Sequence, residues 1–500
     1  MAGTRAERID EPLLRVARLC AAMLFLLLAH VTVVQAFGSR ELNADHRNVR
    51  PLIARFEHPR GDILTYEGTP IAVSRSTGGG PYVYRRVYPA GELYAAVTGH
   101  MSLYRSTGIE QAQDEVLSGE DPKVKVRSLV RDGAVEGADV RLTISERVQR
   151  AAYQELRTTG LPGAVVAINP ATGAIQALAT YPTYDPNTLT TFDSGRLIET
   201  SRLLRRDPSR PLLNRALNRL YPPGSTFKLV TAAAALASGE YTPTTLVDAP
   251  VRLRLPGTPM VLQNAGGGGC GKERPTLTDA FHVSCNTVFA NLGLQLGQDL
   301  LRDQAEAFGF NAPNLSIPLV ATASRYPLAM DRAQTALSAI GHYDSRVTPL
   351  MVAMLSAAVA NNGILMKPYL VEEVRLADGS VIDRAGPSVY RKAVSPTLAK
   401  SLASMMTMAP RAGPKAGHPK TGRSITNRPK TAHPTATHPR AAAAIVMSEI
   451  VPGTDDHALV TAFAPADAPE VAVGVVLEHP GTRADTVTAI ARAVIEAALR

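Results

Sequence analysis

The stretch YPPGSTFKLVTAAAAL, residues 221–236, sets Ser225 three residues before Lys228 at the head of an alanine-rich apolar run. On a helix, an i, i+3 spacing brings the lysine amine onto the face of the serine hydroxyl, one turn away. The positive end of the helix dipole falls at Ser225 and favours a developing alkoxide. A lysine desolvated among polar groups can release its proton near neutral pH and act as a base. Ser225 and Lys228 are therefore a candidate nucleophile and base. Of the chain's ten lysines, Lys228 alone has a serine three positions earlier. Taken by itself, the fragment fits a surface helix with a solvated lysine equally well.

A second constellation is FHVSCNTVFANLG, where Ser284 and Asn286 flank Cys285 ahead of a helical apolar run. From one loop, the hydroxyl can relay a proton and the carboxamide can bind a substrate amide. A helix N-cap serine is the competing reading of Ser284. Cys285 is expected to face inward as a small apolar residue. A third element would be a strand with a cation and a hydroxyl to hold a carboxylate, its backbone N–H pointing at an oxyanion. Two places offer it: Lys420-Thr421-Gly422 and Lys430-Thr431-Ala432. The first keeps a glycine that permits close backbone approach, and the second lies nearer the downstream strand. Residues 409–440 around them hold six prolines and seven lysines or arginines but no acid, and proline precedes each candidate lysine. That composition reads as a loop.

Positioning these residues requires a sheet and helices. GAVVAINPATGAIQALATYP from Gly163 reads as two strands around a longer loop. HALVTAFAPADAPEVAVGVVLEH from His457 is a second strand pair, and the final residues form an amphipathic helix. Between them, residues 220–365 are helical, including TPLMVAMLSAAVANNG with Thr348 as cap and Pro349 in the first turn. Strands at both ends with helices between imply one sheet built from distant segments. Ahead of this, residues 41–155 read as a small α+β module with short strands around Glu67-Gly68.

The 500 residues carry a net charge of +9, spread along the chain without a basic patch interleaved with aromatics, which argues against a nucleic-acid partner. The three cysteines, Cys20, Cys270 and Cys285, have no metal-ligand spacing and indicate neither a zinc site nor a disulfide framework. Leu19 to Gly38 contains no formally charged residue and is long enough to span a bilayer. Arg5, Arg8, Arg15 and Arg18 precede it, placing the N-terminus in the cytoplasm and the rest outside. A cleaved signal peptide ending at VQA is the alternative.

Ser-x-x-Lys, Ser-x-Asn and Lys-Thr-Gly in this order resemble the motif set of penicillin-binding proteins. The chain resembles the class B penicillin-binding proteins, most nearly the actinobacterial penicillin-binding protein A type. RGDILTYEGTPIA, YPAGELYAAVTGHMSLYRSTGIE and SAIGHYDSRVTPLMVAMLSAAVANNG share in the likeness. The resemblance implies an α/β (α+β) penicillin-recognising serine transpeptidase fold, an antiparallel sheet flanked by helices. Its expected parts are a tail and transmembrane anchor (1–40), a pedestal (41–155) and a transpeptidase domain (156–500).

It further implies a peptidoglycan D,D-transpeptidase that binds β-lactams, with no cofactor and no metal. Ser225 is then the nucleophile, Lys228 the base, Ser284 the proton relay and Asn286 a substrate ligand. Lys420, Thr421 and Gly422, or alternatively Lys430 and Thr431, bind the substrate carboxylate. Stem peptides of peptidoglycan are the substrate, and a membrane-embedded glycan polymerase of the cell-division or elongation class is the expected partner. The alternatives are a catalytically impaired paralogue serving as a cell-wall scaffold, and a β-lactamase or β-lactam sensor.

Overall fold

The computed structural model describes residues 7–35, 50–129, 136–264, 267–313, 315–407, 444–447, 457–481 and 485–500. The chain divides into two compact units, residues 1–58 with 76–85, and residues 59–75 with 86–500. In the first, helix α1 (Glu7–Val33) contains a 21-residue stretch, Leu13–Val33, of mean hydropathy 2.1 with none of it buried. At 1.5 Å per residue this stretch reaches about 31 Å, enough to cross a hydrocarbon layer of about 30 Å. The sequence alone suggests a start at Leu19, but the helix runs back through Arg18 and Arg15 to Glu7. Arginine is a good helix former, so a change of polarity there is not a change of backbone.

Short strands follow along the chain. β1 (Ile63–Leu64) turns through Gly68, whose φ of 89° suits glycine, and pairs antiparallel with β2 (Pro70–Ser76). With β3 (Tyr84–Val87) and β4 (Asp139–Leu142) these strands make one side of a six-stranded sheet. The other side comes from far along the chain. There β7 (Val371–Arg375) lies antiparallel to β4, and β8 (Val381–Arg384) lies beside β7. The sheet thus draws on residues on both sides of position 155. Glu373 on β7 is 2 % exposed and is gripped by Arg141 of β4 at 3.1 Å and Arg384 of β8 at 2.9 Å, which ties the remote hairpin in place.

Between these strands lie β5 (Gly163–Ile168) and β6 (Ile175–Tyr181), and the chain ends with β9 (Ala444–Met447), β10 (His457–Ala464) and β11 (Val471–Glu478). They form one antiparallel sheet in the order β9-β10-β11-β5-β6, the joining of distant strand pairs that the sequence pattern implies. Alternation along the strands splits their side chains between two cores. Val165, Val460, Val473 and Val475 face helices α2 (Glu146–Thr159) and α7 (Thr486–Leu499). Leu459, Phe463 and Val476 face the opposite core, which includes α3 (Lys228–Ala237), α4 (Asn286–Ala307), α5 (Pro349–Ala360) and α6 (Pro396–Met406). Helix α5 begins as its sequence suggests, with the Thr348 hydroxyl accepting from Met351 N at 3.2 Å and Pro349 in the first turn. It presses so closely on β11 that a Cβ at Gly474 would lie 2.4 Å from Ala353 N.

Near the start of this unit Glu110, fully buried, meets Arg86 Nε at 2.5 Å and Arg60 Nη2 at 3.3 Å, and accepts from the Tyr88 hydroxyl at 3.2 Å. Burial by itself raises the Glu110 carboxyl, but the Arg86 and Arg60 guanidinium groups outweigh it and hold the group below its ordinary value of 4.5. A carboxyl depressed in the folded state contributes stability above its unfolded value and loses it as pH falls through the folded one. Glu110→Gln, which leaves Arg86 buried without its counter-ion, is expected to cost about 3–5 kcal/mol at neutral pH. It should also flatten the loss of stability below pH 4.5. Urea midpoints of both proteins as a function of pH check this.

Candidate active site

Ser225 sits in a 3₁₀ turn, Gly224–Phe227, that runs directly into α3. The turn is set by Gly224 with φ 52° and by a backbone contact to a second glycine, Gly341 with φ 76°. Gly224 N donates to Gly341 O at 3.1 Å, and a Cβ on Gly341 would lie 2.1 Å from Gly224 O. Only glycine fits there. Behind the turn, Phe227 stacks on Tyr326 with ring centroids 5.1 Å apart and meets Phe310 edge-on at 5.5 Å. Residues 228–236 of α3 are all buried, and Thr231 Oγ1 donates to Ala339 O at 2.7 Å. The turn that carries Ser225 is therefore braced from below and behind.

Lys228 is 1 % exposed. Its Nζ donates to Ser284 O at 2.5 Å, to Ser284 Oγ at 2.8 Å and to Asn286 Oδ1 at 2.6 Å. Ser284 Oγ in turn donates to Ser225 Oγ at 2.9 Å. Four residues that the sequence separates by up to 61 positions thus form one hydrogen-bonded chain. The N-cap of α4 is Cys285, so the alternative of Ser284 as the helix cap does not hold. Ser284 lies just before the cap with φ 54°, a left-handed conformation uncommon outside glycine. That conformation lets its carbonyl and its hydroxyl both accept from Lys228. Ser225 N–H, at the opening of its turn, has no intrahelical acceptor and is available to a developing oxyanion.

Two features were not legible in the sequence. Cys285 is inward-facing at 1 % exposure, but as half of a disulfide with Cys270, Cα atoms 5.8 Å apart. This corrects the expectation of no disulfide. An odd cysteine count hid the pair, because Cys20 lies in the membrane-length helix. The second is Asn264, just after the strand Val261–Gln263, whose Oδ1 accepts from Thr287 N at 3.0 Å in the first turn of α4. A third neighbour is His342, next to Gly341. Burial and then the Lys228 charge lower its pKa.

The third element is different. Lys420, Thr421 and Gly422, like Lys430 and Thr431, lie outside the described residues. The described strand beside the Ser225 turn is β9, at the sheet edge, with Ile445 paired to Ala462 and Val446 to Thr461. Its sequence, Ala-Ile-Val-Met, contains no lysine, threonine or glycine.

An antiparallel sheet with two helices on one face, an all-helical layer on the other, and a Ser-Lys-Ser chain at their junction is the penicillin-recognising transpeptidase fold. The chain belongs to the penicillin-binding proteins: residues 163–496 match the penicillin binding protein transpeptidase domain, and residues 60–140 the penicillin binding protein A dimerisation domain. It is 41% identical to the peptidoglycan D,D-transpeptidase PbpA of Mycolicibacterium smegmatis, over 98% of this chain and 99% of that one. To the protein of that name from Mycobacterium tuberculosis it is 39% identical, with the same coverage. The imipenem acyl-enzyme complex of penicillin-binding protein A from M. tuberculosis superimposes with a TM-score of 0.81 at 38% identity, covering 90% of this chain and all of that one.

Two outcomes follow from the site's framework. Gly341→Ala drives a methyl into Gly224 O and displaces Ser225. A misplacement on the order of 1 Å is expected to slow acylation by fluorescent penicillin roughly 100-fold, read from labelling time courses. Cys270→Ala opens a loop with a sequence separation of 15 and is expected to lower stability by about 3 kcal/mol, measured by urea unfolding without reductant.

Proposed function

We propose that Ser225, Lys228, Ser284 and Asn286 are the catalytic and substrate-binding groups of this peptidoglycan D,D-transpeptidase. The observation that carries the reading is the unbroken chain from Ser225 Oγ through Ser284 Oγ to Lys228 Nζ. Lys228, once neutral, accepts the Ser225 proton, either directly or through Ser284. The alkoxide attacks the carbonyl carbon of the penultimate D-alanine of a stem peptide. The carbonyl oxygen takes up negative charge opposite Ser225 N–H. As the C–N bond breaks, the proton passes through Ser284 to the departing D-alanine amine. An amine of a neighbouring stem peptide then gives its proton back along the same path and attacks the ester, which forms the cross-link and restores Ser225. Asn286, fixed by its bond from Lys228, keeps its Nδ2 donor for a substrate carbonyl. A β-lactam follows the first half of this course and stops at the acyl-enzyme.

The anchor reading places α1 across the cell membrane once, with the arginine-bearing end cytoplasmic and the second unit outside. On this reading residues 41–155 form the pedestal and 156–500 the transpeptidase domain, and a membrane-embedded glycan polymerase is the partner. Lys420, or alternatively Lys430, supplies the cation for the substrate carboxylate. One observation favours a second reading, an impaired paralogue acting as a scaffold: the edge strand β9 beside Ser225 carries no Lys-Thr-Gly.

Labelling of the purified protein with fluorescent penicillin decides between them. Wild type should label, Ser225→Ala should not, and Lys228→Ala should slow labelling by about 100-fold to 10,000-fold. Slowing by Lys420→Ala alone identifies the third element as Lys420, and slowing by Lys430→Ala alone identifies the other. Folded wild-type protein that never labels rejects the catalytic reading in favour of the scaffold. Transfer of the acyl group to an added amine, compared with its hydrolysis, separates a transpeptidase from a carboxypeptidase or β-lactamase.

A further inference from the structure

A cavity of about 510 Å³ opens in the second unit, and none of the four residues of the Ser225 chain lines it. Four stretches wall it: residues 95–112, residues 180–184 at and just after the end of β6, residues 211–218 and residues 318–320. Its volume lies in the range of about 300–1,000 Å³ usual for small-molecule sites. Its wall is uncharged. None of the 19 lining residues is Asp, Glu, Lys, Arg or His, in a chain where those first four types make up 19%. A carboxylate or ammonium entering here would lose water and meet no opposite charge, which favours a neutral occupant.

The wall is also well supplied with hydrogen-bonding groups. The side chains of Gln111 and Thr183 make no hydrogen bond to another described residue. Asn218 Nδ2 donates to Val320 O at 2.9 Å, and Asn214 Nδ2 donates to Ala96 O at 2.8 Å, which fixes both carboxamides. Asn214 Oδ1 has no partner among the described residues. Tyr184 adds aromatic surface, its hydroxyl held 2.8 Å from Nδ1 of His100 behind it. Burial, helped by the charge of Arg105, pushes His100 down to about 4, so this backing also stays uncharged at neutral pH. Leu212, 37% exposed, supplies apolar surface at the rim.

Amides and hydroxyls set among aromatic and aliphatic surface, without a charge, suit an N-acetylated sugar. Its hydroxyls and acetamido group exchange hydrogen bonds with Gln, Asn and Thr, while ring faces and methyl lie on Tyr and Leu. We propose that this cavity is a glycan subsite that takes a neutral N-acetylhexosamine unit of the polymer whose stem peptides react at Ser225. This rests on the transpeptidase reading above, because peptidoglycan has such sugars in its strands. The stem peptides are disfavoured here, since their carboxylates and amines would go unpaired.

The full chain in detergent is titrated calorimetrically with chitotriose, a neutral trimer of N-acetylglucosamine, and portions of the same preparation are labelled with fluorescent penicillin. The expected result is saturable binding, weakened at least about fivefold by Gln111→Ala and by Thr183→Val, with penicillin labelling unchanged. Gln111 is exposed, so its truncation spares the fold, and thermal unfolding of both variants verifies this. A preparation that labels with penicillin but shows no saturation overturns the subsite and leaves the transpeptidase reading intact. Saturation that neither variant weakens also overturns it. Binding that depends on these residues in a preparation that never labels supports the subsite and counts against the transpeptidase reading instead.

Discussion

The buried side chain of Lys228 is the constraint around which the site is built. A lysine 1 % exposed is tolerated only if its amine finds acceptors, because an unpaired buried cation costs several kcal/mol even after relaxation. Three of its acceptors belong to Ser284 and Asn286. One demand therefore fixes two residues on a separate helix entrance. It also accounts for the backbone of Ser284, since a left-handed residue is held only where its surroundings over-determine it. The same hydroxyl that satisfies Lys228 then reaches Ser225. A single set of hydrogen bonds therefore satisfies the buried amine and links it to the Ser225 hydroxyl.

Such a network needs rigid supports, and the fold provides them from both sides. On the Ser225 side, Gly224 against Gly341 and Phe227 against Tyr326 leave the turn no room to shift. On the Ser284 side, two ties reach back to the segment just before α4: the Cys270–Cys285 disulfide, and Asn264 Oδ1 accepting from Thr287 N. The disulfide joins the residue between Ser284 and Asn286 to the loop that carries Cys270. Such a bond persists where thiols are oxidised.

Much of this was readable from local pattern. Ser225 and Lys228 announce themselves by spacing, the strand pairs at 163–181 and 457–478 by apolar alternation, and α5 by Thr348-Pro349 at its start. Long-range pairing was not readable. Nothing in Val371–Arg375 says that it will join β4, because any half-buried strand of that composition would do, and the partner is chosen by packing. The Gly224–Gly341 contact was equally hidden, since a glycine's need for space is visible only once its neighbour is known. Cys270 and Cys285 could be paired only after Cys20 had been set aside.

The sheet edge is where sequence and structure bear hardest on each other. An edge strand offers backbone N–H groups to whatever lies beside it, and β9 lies beside the Ser225 turn. A backbone donor for the oxyanion needs no particular side chain, so Ala-Ile-Val-Met can fill that part of the task as well as Lys-Thr-Gly. Holding a carboxylate does need a cation, and β9 has none. Backbone and side-chain duties that a Lys-Thr-Gly strand would combine are therefore separable in this chain. On the proposed catalytic reading the oxyanion falls to Ser225 N–H and the sheet edge, and the carboxylate to Lys420 or Lys430. Acylation and substrate selection thus place different demands on the region after residue 407, and loss of the cation alone would slow the reaction with penicillin, whose carboxylate it would hold.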